Sequence, residues 1–274
     1  MNNIEMILTD IDGTLLNSEH QISKYTKETL IEFQRQGKSL ILASGRNIDS
    51  MLQIGSHLNI KDYSQSGYIC LNGLEIYDNN GKCLHAEKQL DESDVIELDK
   101  YANKYELDII LFFDKQIYMI EYGKSGIMEY HFLTSTRHKV SSVHEIPKEM
   151  FPLLKKVALL QDADIMQERL DRLKDEVKDQ YELCMVEKDW IEISHCGVSK
   201  GEALKILAQL RNLSLENIAA FGNGENDMSM IINAGVGVAM GNSFESVKNV
   251  ADYVCNDNDH DGIGYFVTEH FLKD

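Results

Sequence analysis

The chain has 274 residues, of which 43% are hydrophobic and 26% are charged. This composition is typical of a folded globular protein and excludes extensive disorder. The 45 acidic and 27 basic residues give a formal net charge of −18. That charge disfavours nucleic acid and anionic lipid as partners, because both are bound through clustered Lys and Arg. The length fits one large domain, or a core domain that carries a smaller insertion.

The sequence indicates a cytoplasmic protein with no membrane segment. Its first residues, MNNIEMILTD, lack the basic and long apolar regions of a signal peptide. No run approaches the roughly 18 apolar residues of a membrane-spanning helix. The five cysteines include no CxxC pair, which favours reduced, buried thiols over a disulfide framework or a zinc site. No sequence feature specifies an oligomeric state.

Three short apolar runs, residues 4–8, 39–43 and 217–221, are each followed at once by small polar residues. Unbroken apolar runs of this length predict strands that are buried on both faces, as in a parallel sheet. Residues 23–37 have apolar positions at helical spacing and end in a glycine, which predicts a helix between the first two strands. Ligands bind beyond the carboxyl ends of such strands, so we expect the three polar clusters to converge there.

The middle of the chain has a different pattern, in which predicted helices stand beside predicted hairpins. The helices are at 91–105 and 163–177, a strand is at 156–160, and the hairpins pair 108–113 with 116–122, around Asp114–Lys115, and 181–186 with 190–194. This mixture predicts an α+β unit of about 110 residues. We therefore predict an α/β fold in which a Rossmann-like parallel-sheet core, 1–81 and 194–274, has helices on both faces and carries an inserted α+β domain, 82–193.

The first polar cluster contains two carboxylates, Asp10 and Asp12, separated by one residue and followed by a glycine. Residues i and i+2 of an extended chain share a face, so both carboxylates point the same way. Such a pair is costly unless a cation or a shared proton compensates it, and Mg²⁺ prefers oxygen ligands. One carboxylate could attack phosphorus while the other acts as general acid and base. The spacing alone also fits, and slightly favours, a turn with a helix-capping Asp.

The second cluster, Ser44-Gly45-Arg46, and a separate lysine, Lys200, could both bind an anion. The first offers a hydroxyl, a backbone N–H and a helix N-terminus, and Arg46 could hold a substrate anion by two hydrogen bonds. Lys200 opens a predicted helix and could hold a phosphate and lower the pKa of a nucleophile. Taken singly, an ordinary N-cap and a solvated lysine are the more frequent roles for such residues.

The last cluster, residues 222–227, combines glycines with Asn223, Asn226 and Asp227 after the third strand. Its side chains could bind a metal or a phosphate, and they could equally cap the next helix. Patterns typical of other enzyme classes are absent: the chain has no P-loop lysine motif, no GxSxG and no HExxH.

Together, in this order, the clusters resemble the haloacid dehalogenase superfamily, and within it the Cof-type phosphatases with an inserted C2 cap. The resemblance covers both segments of the predicted core. The matching stretches are 10–14 (DIDGT), 44–46 (SGR), 72–73 (NG), 197–201 (GVSKG), 222–227 (GNGEND), 238–242 (VAMGN), and 251–254 (ADYV) with 261–262 (DG).

The resemblance implies a role for each matched residue. Asp10 is expected to be the nucleophile and a metal ligand, and Asp12 the general acid and base, with its backbone carbonyl on the metal. Asp227 is expected to support the metal shell. Asn223 stands where the family usually has an Asp that binds Mg²⁺ directly. The residues expected around the phosphoryl group are Ile11, Ser44, Gly45, Lys200 and Asn226, with Arg46 as a further substrate-binding residue.

The function implied by the resemblance is Mg²⁺-dependent hydrolysis of a small phosphorylated metabolite, a sugar phosphate or a phosphorylated cofactor, through an aspartyl phosphate. Two alternatives remain open. A phosphomutase of the phosphomannomutase type would return the phosphoryl group to its substrate. A non-catalytic sugar-phosphate-binding protein would fit the neutral Asn223, although the presence of Asp10, Asp12 and Lys200 argues against it.

Overall fold

The structure, a computed structural model, describes residues 3–113, 116–123, 136–177 and 179–272. The chain divides into two compact units, one formed by Met1–Glu87 with Val198–Asp274 and the other by Lys88–Gly197. These divisions lie a few residues beyond the boundaries expected near Gly81 and Ser194. The strand Cys83–Ala86 pairs within the sheet of the first unit, and His195 still pairs with Tyr181 in the sheet of the second. The assignment of the units as hydrolase core and cap stays a prediction.

The strands of the described residues are β1 (Met6–Thr9), β2 (Ser39–Ala43), β3 (Gly67–Cys70), β4 (Glu75–Asp78), β5 (Cys83–Ala86), β6 (Asp108–Phe113), β7 (Gln116–Ile120), β8 (Thr136–Lys139), β9 (Leu154–Leu160), β10 (Tyr181–Glu187), β11 (Trp190–His195), β12 (Ile218–Gly222), β13 (Val236–Ala239) and β14 (Tyr253–Val254). The helices are α1 (Lys24–Arg35), α2 (Ile48–His57), α3 (Glu92–Lys104), α4 (Ala163–Val177), α5 (Lys200–Leu210), α6 (Met228–Asn233), α7 (Glu245–Lys248) and α8 (Gly262–His270).

The first unit contains an eight-stranded sheet in the order β14-β13-β12-β1-β2-β3-β4-β5. The strands from β14 to β3 run parallel, and β4 and β5 are antiparallel additions at one edge. Strand β1 is central, since Met6 lies between Ile218 of β12 and Ser39 of β2. All residues of β1, β2 and β12 are buried, so the parallel sheet predicted from the three apolar runs is confirmed.

Both faces of this sheet are covered by helices, as the Rossmann-like prediction requires. Ile7 of β1 packs in a cluster with α1 and α8, whereas its neighbours Met6 and Leu8 pack with α5 and α6 on the opposite face. Alternate residues of a strand point to opposite sides, so a strand covered on both sides is apolar throughout. Because β1, β2 and β12 run parallel, their carboxyl ends lie at one edge of the sheet.

The second unit has a six-stranded sheet in the order β10-β11-β9-β6-β7-β8. Neighbouring strands are antiparallel except β7 and β8. One apolar cluster joins this sheet to α3 and α4. The predicted α+β pattern and both predicted hairpins are confirmed, although the turn Asp114–Lys115 lies outside the described residues. Strand β8 was not predicted from the sequence, because its residues TRHK are polar and largely exposed.

The described residues include no membrane-spanning helix and no disulfide. No helix in that part of the chain has the length and apolar character that crossing a bilayer requires. All five cysteines are described and none is in a disulfide. The expectation that the thiols are buried is wrong for Cys83 and Cys196, which are exposed. Cys83 lies on the edge strand β5 and Cys196 follows the end of β11, where neither reaches a core.

The close contact between β13 and α6 gives a stability prediction. A Cβ atom on Gly237 would lie 2.4 Å from the carbonyl oxygen of Ile231, so we expect Gly237→Ala to lower the free energy of unfolding by about 3 kcal/mol through overpacking. Gly37 has a positive φ of 81° but open space around it, so Gly37→Ala should cost only about 1 kcal/mol of backbone strain. Urea unfolding followed by circular dichroism measures both, and equal losses would contradict the packing argument.

Candidate active site

The first segment of the site is the loop that leaves the central strand β1. The Asp10 N–H donates to the Phe221 carbonyl at 2.9 Å, so the β1–β12 pairing continues one residue past the strand. The chain then turns, with the N–H groups of Thr14 and Leu16 donating to the Ile11 carbonyl at 3.3 and 2.9 Å. Asp10 is consequently held at the centre of the sheet edge, and only 5% of its surface is exposed.

A buried ion cluster, which we call the buried triad, consists of Asp10, Lys200 and Asp227. The Lys200 ammonium donates to Oδ1 of Asp10 and to Oδ1 of Asp227, both at 2.6 Å. Lys200 and Asp227 are completely buried. With all three groups ionised, two carboxylates face one ammonium, so the triad carries a net charge of −1. An isolated charge of this kind is costly in a protein interior, which makes the triad attractive to a cation.

The pKa values of the triad are shifted by burial and by mutual charge. Burial first, and then the neighbouring Asp227 charge, raise the pKa of Asp10 to about 7 against the lowering influence of Lys200. For Lys200, burial disfavours the charged form, but the carboxylates of Asp10 and Asp227 outweigh it and raise its pKa. The Lys200 ammonium is therefore charged at neutral pH. The ionised fraction of Asp10 depends on the charges beside it, those of Asp227 and Lys200.

Asp227 also organises the loop that follows β12. Its second oxygen, Oδ2, accepts hydrogen bonds from the N–H groups of Asn223 and Gly224, both at 2.9 Å. The Asn223 side chain in turn accepts a hydrogen bond from the Thr14 hydroxyl at 2.8 Å. A Cβ on Gly13 would lie 2.7 Å from the Asn223 amide nitrogen, so a glycine with φ of 75° is needed here. The loops after β1 and β12 thus hold each other in place.

Asp12 and Arg46 form a second ion pair at the rim of the site. The guanidinium donates to both carboxylate oxygens, at 2.8 Å from Nε and 2.6 Å from Nη2, and its third nitrogen reaches Ser50 at 3.2 Å. The side chains are 50% and 37% exposed, and the hydrogen bond to Asp12 raises the pKa of Arg46. The sequence suggested that Arg46 holds a substrate anion; in this structure the Nε and Nη2 donors of its guanidinium are both bound to Asp12.

Ser44 and Gly45 follow β2 at the same sheet edge, and Ser44 is 3% exposed. The Ser44 hydroxyl accepts a hydrogen bond from the Arg46 N–H at 3.3 Å. The helix cap expected within Ser44-Gly45-Arg46 falls on the next residue instead, whereas Asp227 does occupy the N-cap position of α6, although without a side-chain hydrogen bond to that helix. Asn47 caps α2 and Ser199 caps α5, each by accepting a backbone hydrogen bond.

The structure brings together the candidate residues and adds three that sequence reasoning did not assign. All ten candidates follow β1, β2 or β12 or open α5: Asp10, Ile11, Asp12, Ser44, Gly45, Arg46, Lys200, Asn223, Asn226 and Asp227. The unassigned residues are Thr14, Asn72, which accepts from the Asn226 amide at 3.2 Å, and Asn242, which donates to the Gly13 carbonyl at 2.8 Å. Each lies within a family-like motif, which was the available signal.

The oxygen donors of the site suit a hard cation such as Mg²⁺. Both oxygens of Asp227 already accept hydrogen bonds, so the carboxylate most open to a metal is that of Asp10. Over the described part of the chain, no group of three or more His, Cys, Asp or Glu side chains is arranged to hold a metal. Metal binding here would therefore combine Asp10 with neutral oxygens of Asn223 and of the Asp12 backbone, and with the net charge of the triad. The donor set fits Mg²⁺, with less charge than an Asp at position 223 would provide.

The buried triad predicts that two lysines of α5, Lys200 and Lys205, contribute very differently to the free energy of unfolding. Lys200→Met leaves two buried carboxylates without a counter-charge, so we expect it to lower the free energy of unfolding by about 3–5 kcal/mol at neutral pH. The loss should shrink as the pH is lowered, because protonation removes the repulsion. Lys205 pairs with Glu202 at the partly exposed surface, so Lys205→Met should cost less than about 1 kcal/mol. Denaturant unfolding at several pH values tests both variants, and a pH-independent loss in Lys200→Met would contradict the electrostatic cause.

Comparison with known proteins places this geometry in a family. Residues 7–267 match the family model of the haloacid dehalogenase-like hydrolases. The phosphatase YwpJ of Bacillus subtilis is 29% identical, over 98% of this chain and 100% of its own, and the pyridoxal phosphate phosphatase YbhA of Escherichia coli is 26% identical, over 97% and 98%. The solved structure of a haloacid dehalogenase-like hydrolase from B. subtilis has 28% identity and a TM-score of 0.80, and covers 98% of this chain and 100% of its own. The chain belongs to the haloacid dehalogenase-like hydrolases.

Proposed function

We propose that the protein is a Mg²⁺-dependent phosphatase that hydrolyses small phosphorylated metabolites through an aspartyl phosphate on Asp10. The observation that carries this proposal is the buried triad, in which a carboxylate at the end of the central strand is held by a buried ammonium. Relatives named as phosphatases of pyridoxal phosphate and of HMP-PP support small phosphorylated metabolites as the substrate class. Sugar phosphates belong to the same class.

In the first step, a carboxylate oxygen of Asp10 attacks phosphorus, a new O–P bond forms, and the ester O–P bond breaks. Lys200 orients this carboxylate, because its ammonium binds Oδ1. The N–H groups of Ile11 and Gly45, the Ser44 hydroxyl, the Lys200 ammonium and the Asn226 amide are the donors that we assign to the phosphoryl oxygens. Donors that are fixed before the reaction stabilise the developing charge without reorganising.

Asp12 completes the chemistry as general acid and then general base. In the first step it gives a proton to the leaving alkoxide oxygen, and in the second it accepts a proton from the water that attacks the aspartyl phosphate. Phosphate then leaves and Asp10 is regenerated. The half-exposed position of Asp12 fits this role, because its carboxyl group has access to solvent. Both of its oxygens accept hydrogen bonds from Arg46, so this exposed ion pair opens when Asp12 takes up a proton.

The residues that we assign to Mg²⁺ are Asp10, Asp12 through its carbonyl and Asn223 as ligands, with Asp227, whose oxygens both accept hydrogen bonds, supporting the metal shell. When bound, the ion supplies positive charge to the phosphoryl oxygens and favours the ionised form of Asp10. We also assign the unit Lys88–Gly197 as the inserted cap domain of the family. The free thiols fit our proposal that the protein acts in the reducing cytoplasm.

Asp10→Asn tests the nucleophile. The change removes one negative charge from a triad of net charge −1, and the amide can still accept from Lys200, so we expect a stable fold. Release of phosphate from p-nitrophenyl phosphate and from a panel of metabolites should fall below about 0.1% of wild type, a loss in the range seen when nucleophiles are removed.

Labelling by beryllium fluoride, a phosphoryl mimic, should be lost as well. Asp49 is exposed on α2, and Asp49→Asn is the matched control that should retain activity. Substantial turnover in purified Asp10→Asn would overturn covalent catalysis. A wild type that transfers phosphoryl groups between sugars without releasing phosphate would instead identify a mutase, and binding without either reaction would identify a binding protein.

Asn223→Asp tests the metal shell. A unit charge pair at about 4 Å and an effective dielectric of about 20 is worth roughly 4 kcal/mol, part of which is offset by desolvation. We therefore expect the Mg²⁺ concentration for half-maximal activity to fall about 10- to 100-fold. Without metal, the added carboxylate increases the uncompensated charge, so the melting temperature should fall, and Mg²⁺ should raise it more than in wild type.

The exposed Asn212 provides the control, since Asn212→Asp adds the same charge away from the site. An unchanged Mg²⁺ requirement in Asn223→Asp would mean that position 223 does not face the metal.

A further inference from the structure

The segment between β3 and β4 is a turn of unusual backbone geometry. Leu71, Asn72 and Gly73 have consecutive positive φ angles of 50°, 53° and 108°. We call these residues the left-handed turn. A left-handed conformation costs a non-glycine residue about 1–2 kcal/mol, although Asn tolerates it better than most. Such strain persists only where surrounding contacts impose it, and it is concentrated at functional sites.

The left-handed turn is held by two other loops of the site. The Leu71 N–H donates to the Arg46 carbonyl at 3.1 Å, and the Asn72 N–H donates to the Ser44 carbonyl at 3.0 Å. On its other side, a Cβ on Gly73 would lie 2.2 Å from the carbonyl oxygen of Ser199. The turn is therefore wedged between the loop after β2 and the residue that precedes Lys200. These contacts leave little freedom for its backbone.

The side chain of Asn72 contacts a third loop, that of Asn226. The Asn226 amide nitrogen donates to Asn72 Oδ1 at 3.2 Å. The Asn226 carbonyl oxygen is turned towards its own loop, since a Cβ on Gly224 would lie 2.6 Å from it. The Asn226 amide thus has a defined orientation, with nitrogen towards Asn72 and oxygen towards Gly224.

This orientation matters for an anionic ligand. An Asn amide nitrogen carries two hydrogens, and the hydrogen bond to Asn72 uses one of them. The other is available to a phosphoryl oxygen, which accepts hydrogen bonds only. A flipped Asn226 amide would exchange the positions of its nitrogen and its carbonyl oxygen, and the lone pairs of that oxygen would repel the anion.

We propose that Asn72 is a positioning residue, whose side-chain oxygen sets the Asn226 amide so that it donates an N–H to the phosphoryl group. This inference rests on the proposed function, because it assigns Asn226 to the phosphoryl-binding donors. It also accounts for the strained turn. The left-handed backbone of Asn72 brings its side chain to Asn226 while its N–H reaches the loop after β2.

Asn72→Gly separates the side chain from the backbone. Glycine adopts the left-handed conformation without strain, so the free energy of unfolding should not fall. The acceptor for Asn226 is lost, so kcat for p-nitrophenyl phosphate should fall about 10-fold, which is the scale of one misplaced donor in a reacting site. Inorganic phosphate should also bind more weakly in calorimetry. A purely structural role would instead lower stability and leave kcat per folded molecule unchanged.

Asn72→Asp is the conservative rescue. It keeps an oxygen acceptor and tolerates the left-handed conformation, so we expect kcat within about 3-fold of wild type. Its added negative charge repels the substrate, so KM should rise. Asn59 is the matched control, because it is an exposed asparagine with φ of 55° and no side-chain capping bond. Asn59→Gly should retain wild-type kcat and KM.

The double variant completes the test. If Asn72 acts through Asn226, then Asn226→Ala alone should reduce kcat by a similar factor, and adding Asn72→Gly should reduce it no further. The inference would be overturned if the kcat losses of the two single variants multiplied in the double variant. It would also be overturned if Asn72→Gly kept wild-type kcat and phosphate affinity. Either result would leave the proposed function intact. A wild type without phosphatase activity would overturn the proposed function, and phosphate calorimetry on the same variants would still decide the role of Asn72.

Discussion

The contact on which the site depends is the burial of the Lys200 ammonium between the carboxylates of Asp10 and Asp227. Lys200 and Asp227 are completely buried and Asp10 is 5% exposed, so all three have lost almost all of their hydration. Each charge would be strongly destabilising without the others. The residues come from the end of β1, the start of α5 and the loop after β12. Asp10 and Lys200 are 190 positions apart in the sequence. The site therefore exists only when both segments of the first unit have assembled into one sheet.

Around the buried triad, polar contacts join the surrounding loops to one another. Asp227 holds the backbone of its own loop, and Asn223 ties that loop to the turn after β1. Asn242, in the loop after β13, donates a hydrogen bond to the Gly13 carbonyl. Preorganised donors are effective in catalysis because they do not need to reorient during the reaction. The number of contacts between loops indicates a site that is built before its ligand arrives.

The two ion pairs of the site differ in their freedom to rearrange. Breaking the buried triad leaves a charge without solvent, which costs several kcal/mol. The pair of Asp12 and Arg46 is exposed by a third to a half, and water can replace either partner, so such a pair contributes at most about 1 kcal/mol. The nucleophile is consequently held firmly, whereas the proposed general acid can exchange protons and change partners during turnover.

The sequence by itself determined the features that depend on local pattern. Unbroken apolar runs predicted β1, β2 and β12, and the ordered motifs identified the family and the candidate residues. Strands β3, β4, β5, β8, β13 and β14 were not predicted. Two of them, β5 and β8, are largely exposed and carry no apolar run, so they depend on pairing with neighbouring strands. The tertiary structure alone decided which charges meet, pairing Arg46 with Asp12 rather than leaving it free, and Lys200 with two carboxylates rather than with solvent. It also decided the orientation of Asn226 through Asn72. The physical reason is that apolar periodicity reports burial along one segment, whereas ion pairs and side-chain hydrogen bonds depend on distances between segments that only the folded sheet brings together.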